Sequence, residues 1–295
     1  MPELPEVETI ANGVHARVHG ARIAAVWTSG KPQTFKSPEA EIAHALTGAT
    51  IDSVRRVGKT IVMTVHRGTS RKPTEFLIHL GMTGRLLVAD PAVPQPPHTH
   101  AILTLADRRE VRFVDPRRFG RLSIHQPDPG CPIHAASPHG WDSATAAASK
   151  SGAYTGPGRE PLTISLDDFI GLFRGRKTPI KAALLNQSLL HGVGNIYADE
   201  ALFRAGVRPT RHAGRLTRAE LTRLRTALQT VLKRAIQLGG SSVSDYVDAE
   251  GMRGYFQIEH KVYGRAAQPC TVCATPIKKI TLAGRGTHFC PTCQK

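Results

Sequence analysis

Long apolar runs are missing from the 295-residue chain. No stretch of about 18 consecutive apolar residues occurs, so nothing in it reads as membrane-spanning. A basic leader followed by an apolar core is missing too. The N-terminus opens on the acidic MPELPEVE, which argues against a secretion signal and predicts a cytoplasmic protein. Acidic side chains are few, 23 against 39 Lys and Arg, leaving a net charge of +16. Such a surplus attracts a polyanion, nucleic acid first; a basic surface kept for solubility or membrane contact is the blander reading. Cysteines are scarce, five in all, and four of them fall in the last 26 residues. That distribution does not suit a disulfide framework and points to metal. Cys131 stands alone and reads as structural or incidental. There is no internal repeat. What remains is a chain with 40% hydrophobic residues, enough to pack a core, and long enough for one large domain or two ordinary ones.

After the opening motif, Val7, Ile10, Ala11 and Val14 recur at helix spacing, and Gly20 marks the end. From Ala21 to about His125 short β-rich runs replace them: Ile23–Trp27, Thr60–Val65, Phe76–Leu80, Leu86–Val88, Ile102–Leu105 and Val111–Val114. Residues 126–160 are rich in Pro, Gly, Ser and Ala and read as a linker or surface insertion. Helical periodicity holds from Ile164 to Leu238, with Thr217 and Glu220 in capping-box spacing and Gly239 at the end. The expected fold class is α+β and multi-domain. It comprises an N-terminal helix with an antiparallel β-sandwich (1–125), the linker (126–160), a helical domain (161–262) and a zinc-bearing β-hairpin (263–295). Two lobes of this kind would leave a cleft for a duplex.

The tail reads Cys270-x2-Cys273-x16-Cys290-x2-Cys293. Two C-x-x-C pairs match a closed, tetrahedral structural zinc site with no open position for chemistry. Between the pairs, glycines flank Arg285, which would let its guanidinium approach a phosphate; a solvated turn charge is the alternative. In the helical region, Gly192-Val193-Gly194-Asn195 marks a tight turn that can offer backbone N–H groups, and Asn195 itself, to a phosphate. Arg176, Lys177 and Lys181 form a basic group upstream. At the start of the chain, removal of Met1 would leave Pro2 with a free secondary amine. An α-amino group, with a pKa near 8, is far better poised than lysine to attack a sugar C1′ as a neutral nucleophile. Glu3 and Glu6 stand beside it as acid and proton carrier. Taken alone, the same residues also fit ordinary helix N-terminal chemistry.

Six segments occur in one order: MPELPEVETI, Arg55–Lys59, His79–Gly84, Asp115–Gly120, the Gly192–Tyr197 turn and the four-cysteine tail. In that order the sequence resembles the bacterial formamidopyrimidine-DNA glycosylases over nearly its whole length. Leu4 sets it with that branch and not with the endonuclease VIII branch, which prefers oxidised pyrimidines. The resemblance implies a helix-two-turn-helix in the helical domain, double-stranded DNA bearing an oxidised base as partner, one structural Zn2+, and action as a monomer. It implies that Pro2 forms a Schiff base at C1′, that Glu3 is the proton donor, and that Glu6 supports it. Lys59 then assists β-elimination and Arg285 the δ-elimination. Met82, Arg117 and Phe119 are implied to fill the gap left by an extruded nucleotide, and the three residue types suit that task. His98, Arg117, Arg176, Lys181 and Asn195 are implied to meet DNA, mostly at phosphates. Residues Ser241–Tyr255 correspond to the family's lesion-capping loop.

Departures from the family pattern are the length of 126–160, Asn186 where Asp is usual, and His191 beside the Gly-Val-Gly turn. Neither of the last two removes a catalytic group, and both are expected to tune DNA contact. Competing readings are the same chemistry on oxidised pyrimidines, or a DNA-binding zinc protein without catalysis. Retention of Pro2, Glu3 and Lys59 argues against the second.

Overall fold

The computed structural model describes residues 1–68, 73–126, 152–242, 248–249, 251–252 and 254–295. Cys131 and most of the 126–160 stretch lie outside the described residues. The chain divides into two compact units, residues 1–156 with 239–255, and residues 157–238 with 256–295.

The first unit begins with α1 (Leu4–Val18). Its buried stripe of Leu4, Val7, Ile10, Ala11, Val14 and Val18 follows the helical period, and Gly20 supplies the positive φ that ends it. Eight strands follow: β1 (Ile23–Thr28), β2 (Thr50–Val57), β3 (Thr60–His66), β4 (Thr74–His79), β5 (Arg85–Ala89), β6 (Thr99–Leu105), β7 (Glu110–Val114) and β8 (Arg121–His125). They form two antiparallel four-stranded sheets, ordered β1-β6-β7-β5 and β2-β3-β4-β8. Ile61, Met63, Phe76 and Ile78 of one sheet and Leu86, Leu103, Val111 and Phe113 of the other share one core with α1, which makes the expected sandwich. Two strands and one helix escaped the sequence pattern. In β2 a bulge between Ile51 and Ser53 breaks the alternation of apolar residues. The short β8 fully buries Leu122 alone, and α2 (Glu39–Leu46) buries only Ile42 and Leu46, too few for a period to show.

The second unit holds α3 (Leu166–Phe173), α4 (Ile180–Leu185), α5 (Asn195–Ala205) and α6 (Arg218–Gln237). The hairpin of β9 (Lys278–Leu282) and β10 (Arg285–Phe289) completes it. Thr217 and Glu220 form the capping box at the start of α6, and Gly239, with φ 72°, lies just past its end. The described residues of 239–255, expected with the helical domain, group instead with the first unit. Among the described residues no helix is long and apolar enough to cross a membrane.

Candidate functional site

In the first unit the candidate catalytic groups gather at the N-terminus of α1. Met1 is about half exposed, and Pro2, Glu3 and Glu6 beneath it are buried. Glu3 is the N-cap of α1, and the two glutamates form a reciprocal capping box in which the Glu3 N–H donates to Glu6 Oε2 at 2.8 Å. Glu6 is also tied to the segment after α6, because the Ser241 N–H donates to its Oε1 at 2.7 Å. Gly240 lies so close that a Cβ there would come within 2.9 Å of the Glu6 carboxylate, at a φ of 81° that favours glycine in any case. The base of the expected capping loop is thus fastened to one of the expected catalytic carboxylates. Residues 243–247, 250 and 253 of that loop lie outside the described residues.

Lys59 sits in the two-residue turn of the β2–β3 hairpin, preceded by Gly58 at φ 60°. The turn is braced from α1. Arg56 Nε pairs with Glu8 Oε2 at 2.5 Å, and its Nη1 donates to the Gly58 carbonyl at 3.3 Å. The helix that carries Glu3 and Glu6 therefore also fixes the turn that carries Lys59, a link that no motif in the sequence marked.

The three expected gap-fillers stand on two adjacent loops. Met82 is 41% and Phe119 46% exposed, unusual for side chains of their size, and the Arg117 guanidinium lies 4.9 Å above the Phe119 ring. His98 is exposed and holds a φ of 65°, and its carbonyl accepts from the Asp115 N–H at 3.0 Å. Asp115 itself is fully buried beneath these loops.

In the second unit, Asn195 is the first residue of α5, and its Nδ2 donates to the Gly286 carbonyl at 2.9 Å, beside exposed Arg285. Ala283 and Gly284, both at positive φ, make the tight turn that presents Arg285. Arg176 and Lys177 are exposed between α3 and α4. Lys181 departs from the expectation of a phosphate contact. It is fully buried, and its Nζ pairs with Asp199 Oδ1 at 2.7 Å and donates to the Gly286 carbonyl and to Thr287 Oγ1, each at 2.9 Å. Asp199 in turn accepts from the His288 N–H at 2.9 Å. A charge placed so deep needs its partner and its hydrogen bonds, and here they fix the hairpin behind Arg285. Glu200, next along α5, accepts from the Lys261, Val262 and Tyr263 N–H groups, and its burial pushes its carboxyl up from the usual range. Two of the departures from the family pattern, His191 and Asn186, also make internal bonds. His191 Nε2 lies 3.1 Å from Glu160 Oε2, and Asn186 Oδ1 accepts from Ser188.

The four cysteine sulfurs lie within 4.8 Å of one another. Cys270 and Cys293 Sγ are 3.9 Å apart, and Cys273 and Cys290 Sγ 3.4 Å apart. A tetrahedron of sulfurs about 2.3 Å from zinc has edges of about 3.8 Å, so the donor set fits that metal. The Val272 and Cys293 N–H groups donate to Cys270 and Cys290 Sγ, as thiolates require. The chain holds one structural zinc here.

Family models match in the same order as these parts. The formamidopyrimidine-DNA glycosylase N-terminal domain covers residues 1–122, the H2TH domain of the same enzymes 157–247, and the zinc finger found in FPG and IleRS 267–295. The chain belongs to the formamidopyrimidine-DNA glycosylase family. It is 42% identical to the formamidopyrimidine-DNA glycosylase of Solibacter usitatus, with all of both chains aligned. With that of Listeria monocytogenes it shares 39% identity, again over the full length of both. Among solved structures, the MutM (Fpg) protein of Thermus thermophilus matches with a TM-score of 0.79 at 38% identity, over 99% of this chain and 98% of that one. A Lactococcus lactis Fpg variant in complex with DNA containing Fapy-dG matches with a TM-score of 0.83 at 30% identity, over all of both chains. The family is one of base excision repair glycosylases, and this chain is such an enzyme.

Proposed function

We propose that the enzyme removes oxidised purines from duplex DNA and then cuts the strand, using the Pro2 nitrogen as nucleophile. The observation that carries this reading is the arrangement at α1, where a half-exposed Met1 precedes buried Pro2 and the N–H of Glu3, the next residue, is bonded to the buried Glu6 carboxylate. Removal of Met1 uncovers the amine. Its lone pair attacks C1′ as the bond from C1′ to the damaged base breaks, and the base leaves with a proton. Glu3 protonates the sugar ring oxygen, the ring opens, and the nitrogen becomes the iminium of a Schiff base. Loss of a C2′ proton, assisted by Lys59, expels the 3′ phosphate, and a second elimination with Arg285 at the phosphate expels the 5′ one. Glu6 holds Glu3 and the base of the capping loop.

Attack at C1′ requires the nucleotide to leave the stack, and Met82, Arg117 and Phe119 fill the space it vacates. His98, Arg176, Asn195 and Arg285 meet phosphates, and Lys181 supports Arg285 from behind. The L. lactis complex with Fapy-dG DNA supports the choice of substrate, and another L. lactis complex, with an oxidised-pyrimidine DNA, favours that lesion class as a second substrate of the same site. Affinity falls steeply with salt, as neutralised phosphates demand.

The test is Glu3→Gln, assayed in parallel for excision of 8-oxoguanine opposite cytosine and for binding to the same duplex. Excision is expected to vanish while binding persists; unchanged excision refutes the role of Glu3.

A further inference from the structure

Asp115 is a fully buried carboxyl with its partners drawn from two loops. Its Oδ1 accepts from Thr83 Oγ1 at 2.5 Å and from the Arg117 N–H at 3.3 Å, and its Oδ2 accepts from the Gly120 N–H at 2.7 Å. Thr83 follows Met82 in the chain, Gly120 follows Phe119, and the third donor is Arg117 itself. Every expected gap-filling residue is therefore bonded to Asp115 directly or through the residue next to it. The main chain of Asp115 continues the pattern, with its N–H on the His98 carbonyl and its own carbonyl accepting from the Arg118 N–H at 3.2 Å.

The two loops also touch backbone to backbone. A Cβ on Gly81 would sit 2.5 Å from the Phe119 carbonyl carbon, and one on Gly120 would sit 3.1 Å from Asp115 Oδ2. Each loop can move only by carrying the other or by breaking bonds to a buried carboxylate, which is costly. The geometry points to Asp115 as a positioning residue that sets Met82, Arg117 and Phe119 as one rigid wedge. This inference rests on the proposed gap-filling role of those three side chains.

A carboxylate is suited to the task because it only accepts. An amide of the same size has one acceptor oxygen, and its NH2 would face an N–H donor on one of the loops. Both N–H donors, of Arg117 and Gly120, lie in the Asp115–Gly120 loop, so Asp115→Asn keeps the volume while unpinning the loop that carries Arg117 and Phe119. An error of about 1 Å in such a placement costs up to about a hundredfold in rate.

The experiment uses the zinc-loaded full chain and compares two reactions. One is excision of 8-oxoguanine opposite cytosine in a duplex, which needs the wedge. The other is cleavage at a preformed abasic site in a single strand, which leaves no hole to fill. Asp115→Asn is expected to lower the first by roughly 10- to 100-fold and to leave the second within about twofold. Thr83→Val, which removes one hydroxyl donor, should lower duplex excision by about three- to tenfold, and Thr83→Ser should restore it. Fluorescence of 2-aminopurine placed opposite the lesion should show less unstacking in Asp115→Asn. Met82→Ala serves as the comparator. If Met82→Ala loses duplex excision while Asp115→Asn behaves as wild type, the inference fails and the wedge reading stands. If Met82→Ala is itself silent, the wedge reading fails and takes the inference with it. An equal loss of both reactions in Asp115→Asn, with Thr83→Val silent, also overturns it, since that is the mark of general destabilisation.

Discussion

The β-sandwich and the C-terminal hairpin each present an exposed arginine beside a tight turn, yet they hold it by different means. Arg117 stands on a unit whose core joins two sheets and two helices, and the loop beneath it is pinned by a single buried carboxylate. Arg285 stands on a two-stranded hairpin whose own buried cluster amounts to Val262, Cys270, Ile277 and Cys290. Two of those four are zinc ligands, and further support comes from Lys181, Asp199 and Asn195, which bond the hairpin at Gly286, Thr287 and His288. Where hydrophobic burial is ample, polar groups are free to set loop geometry. Where it is not, metal must supply the fold, and buried polar groups fix the position of the hairpin.

Zinc removal separates the two regions most sharply. Structural zinc contributes about 10–16 kcal/mol to modules of this kind. Chelation should therefore unfold residues 263–295 and weaken DNA affinity while the sandwich stays folded, as amide exchange would show region by region. Protection that survives in β9 and β10 after chelation would break the contrast. Next in size is Lys181→Met, which leaves the buried Asp199 carboxyl without its ion-pair partner. A loss of about 3–5 kcal/mol in the second unit is expected, by denaturant unfolding, with recovery when Asp199→Leu is added. The matching change in the sandwich is Phe76→Ala, which should cost about 3–5 kcal/mol regardless of zinc. A zinc-dependent cost there would mean that the regions are not independent. The smallest effect lies at the start of α6. The Arg211 guanidinium holds the Glu220 carboxyl down to about 2, below its usual 4.5. A depressed carboxyl stabilises the fold above its ordinary pKa and loses that contribution as it is protonated. Glu220→Gln should thus lower the melting temperature slightly at neutral pH, and the difference from wild type should fade as the pH drops from 4.5 toward 2.

Those same differences decide what could be read from the sequence. The zinc ligands were legible because metal geometry imposes a spacing along the chain, and the start of α6 because capping chemistry is local to Thr217 and Glu220. The β2 strand was obscured by its bulge, which moves Ser53 and the residues after it out of strict alternation. The burial of Lys181 is not legible locally, because it stands near Arg176 and Lys177 in the sequence and only the fold brings Asp199 under it. Asp115 was hidden in plain sight within Asp-Pro-Arg-Arg-Phe-Gly. Its donors come from a loop more than thirty residues away as well as from its own, and nothing local distinguishes a buried aspartate from one in a turn. Met82 and Phe119 were visible only through resemblance, since exposed large side chains carry no periodic signal.

The central claim is that the Pro2 nitrogen is the nucleophile. Borohydride reduction during reaction with a duplex carrying one 8-oxoguanine opposite cytosine, with protein verified by mass to lack Met1, tests it most directly. The account predicts a covalent protein–DNA adduct that maps to the N-terminal peptide at Pro2. An adduct at Lys59 or any other lysine, or strand cleavage with no adduct at all, would contradict it.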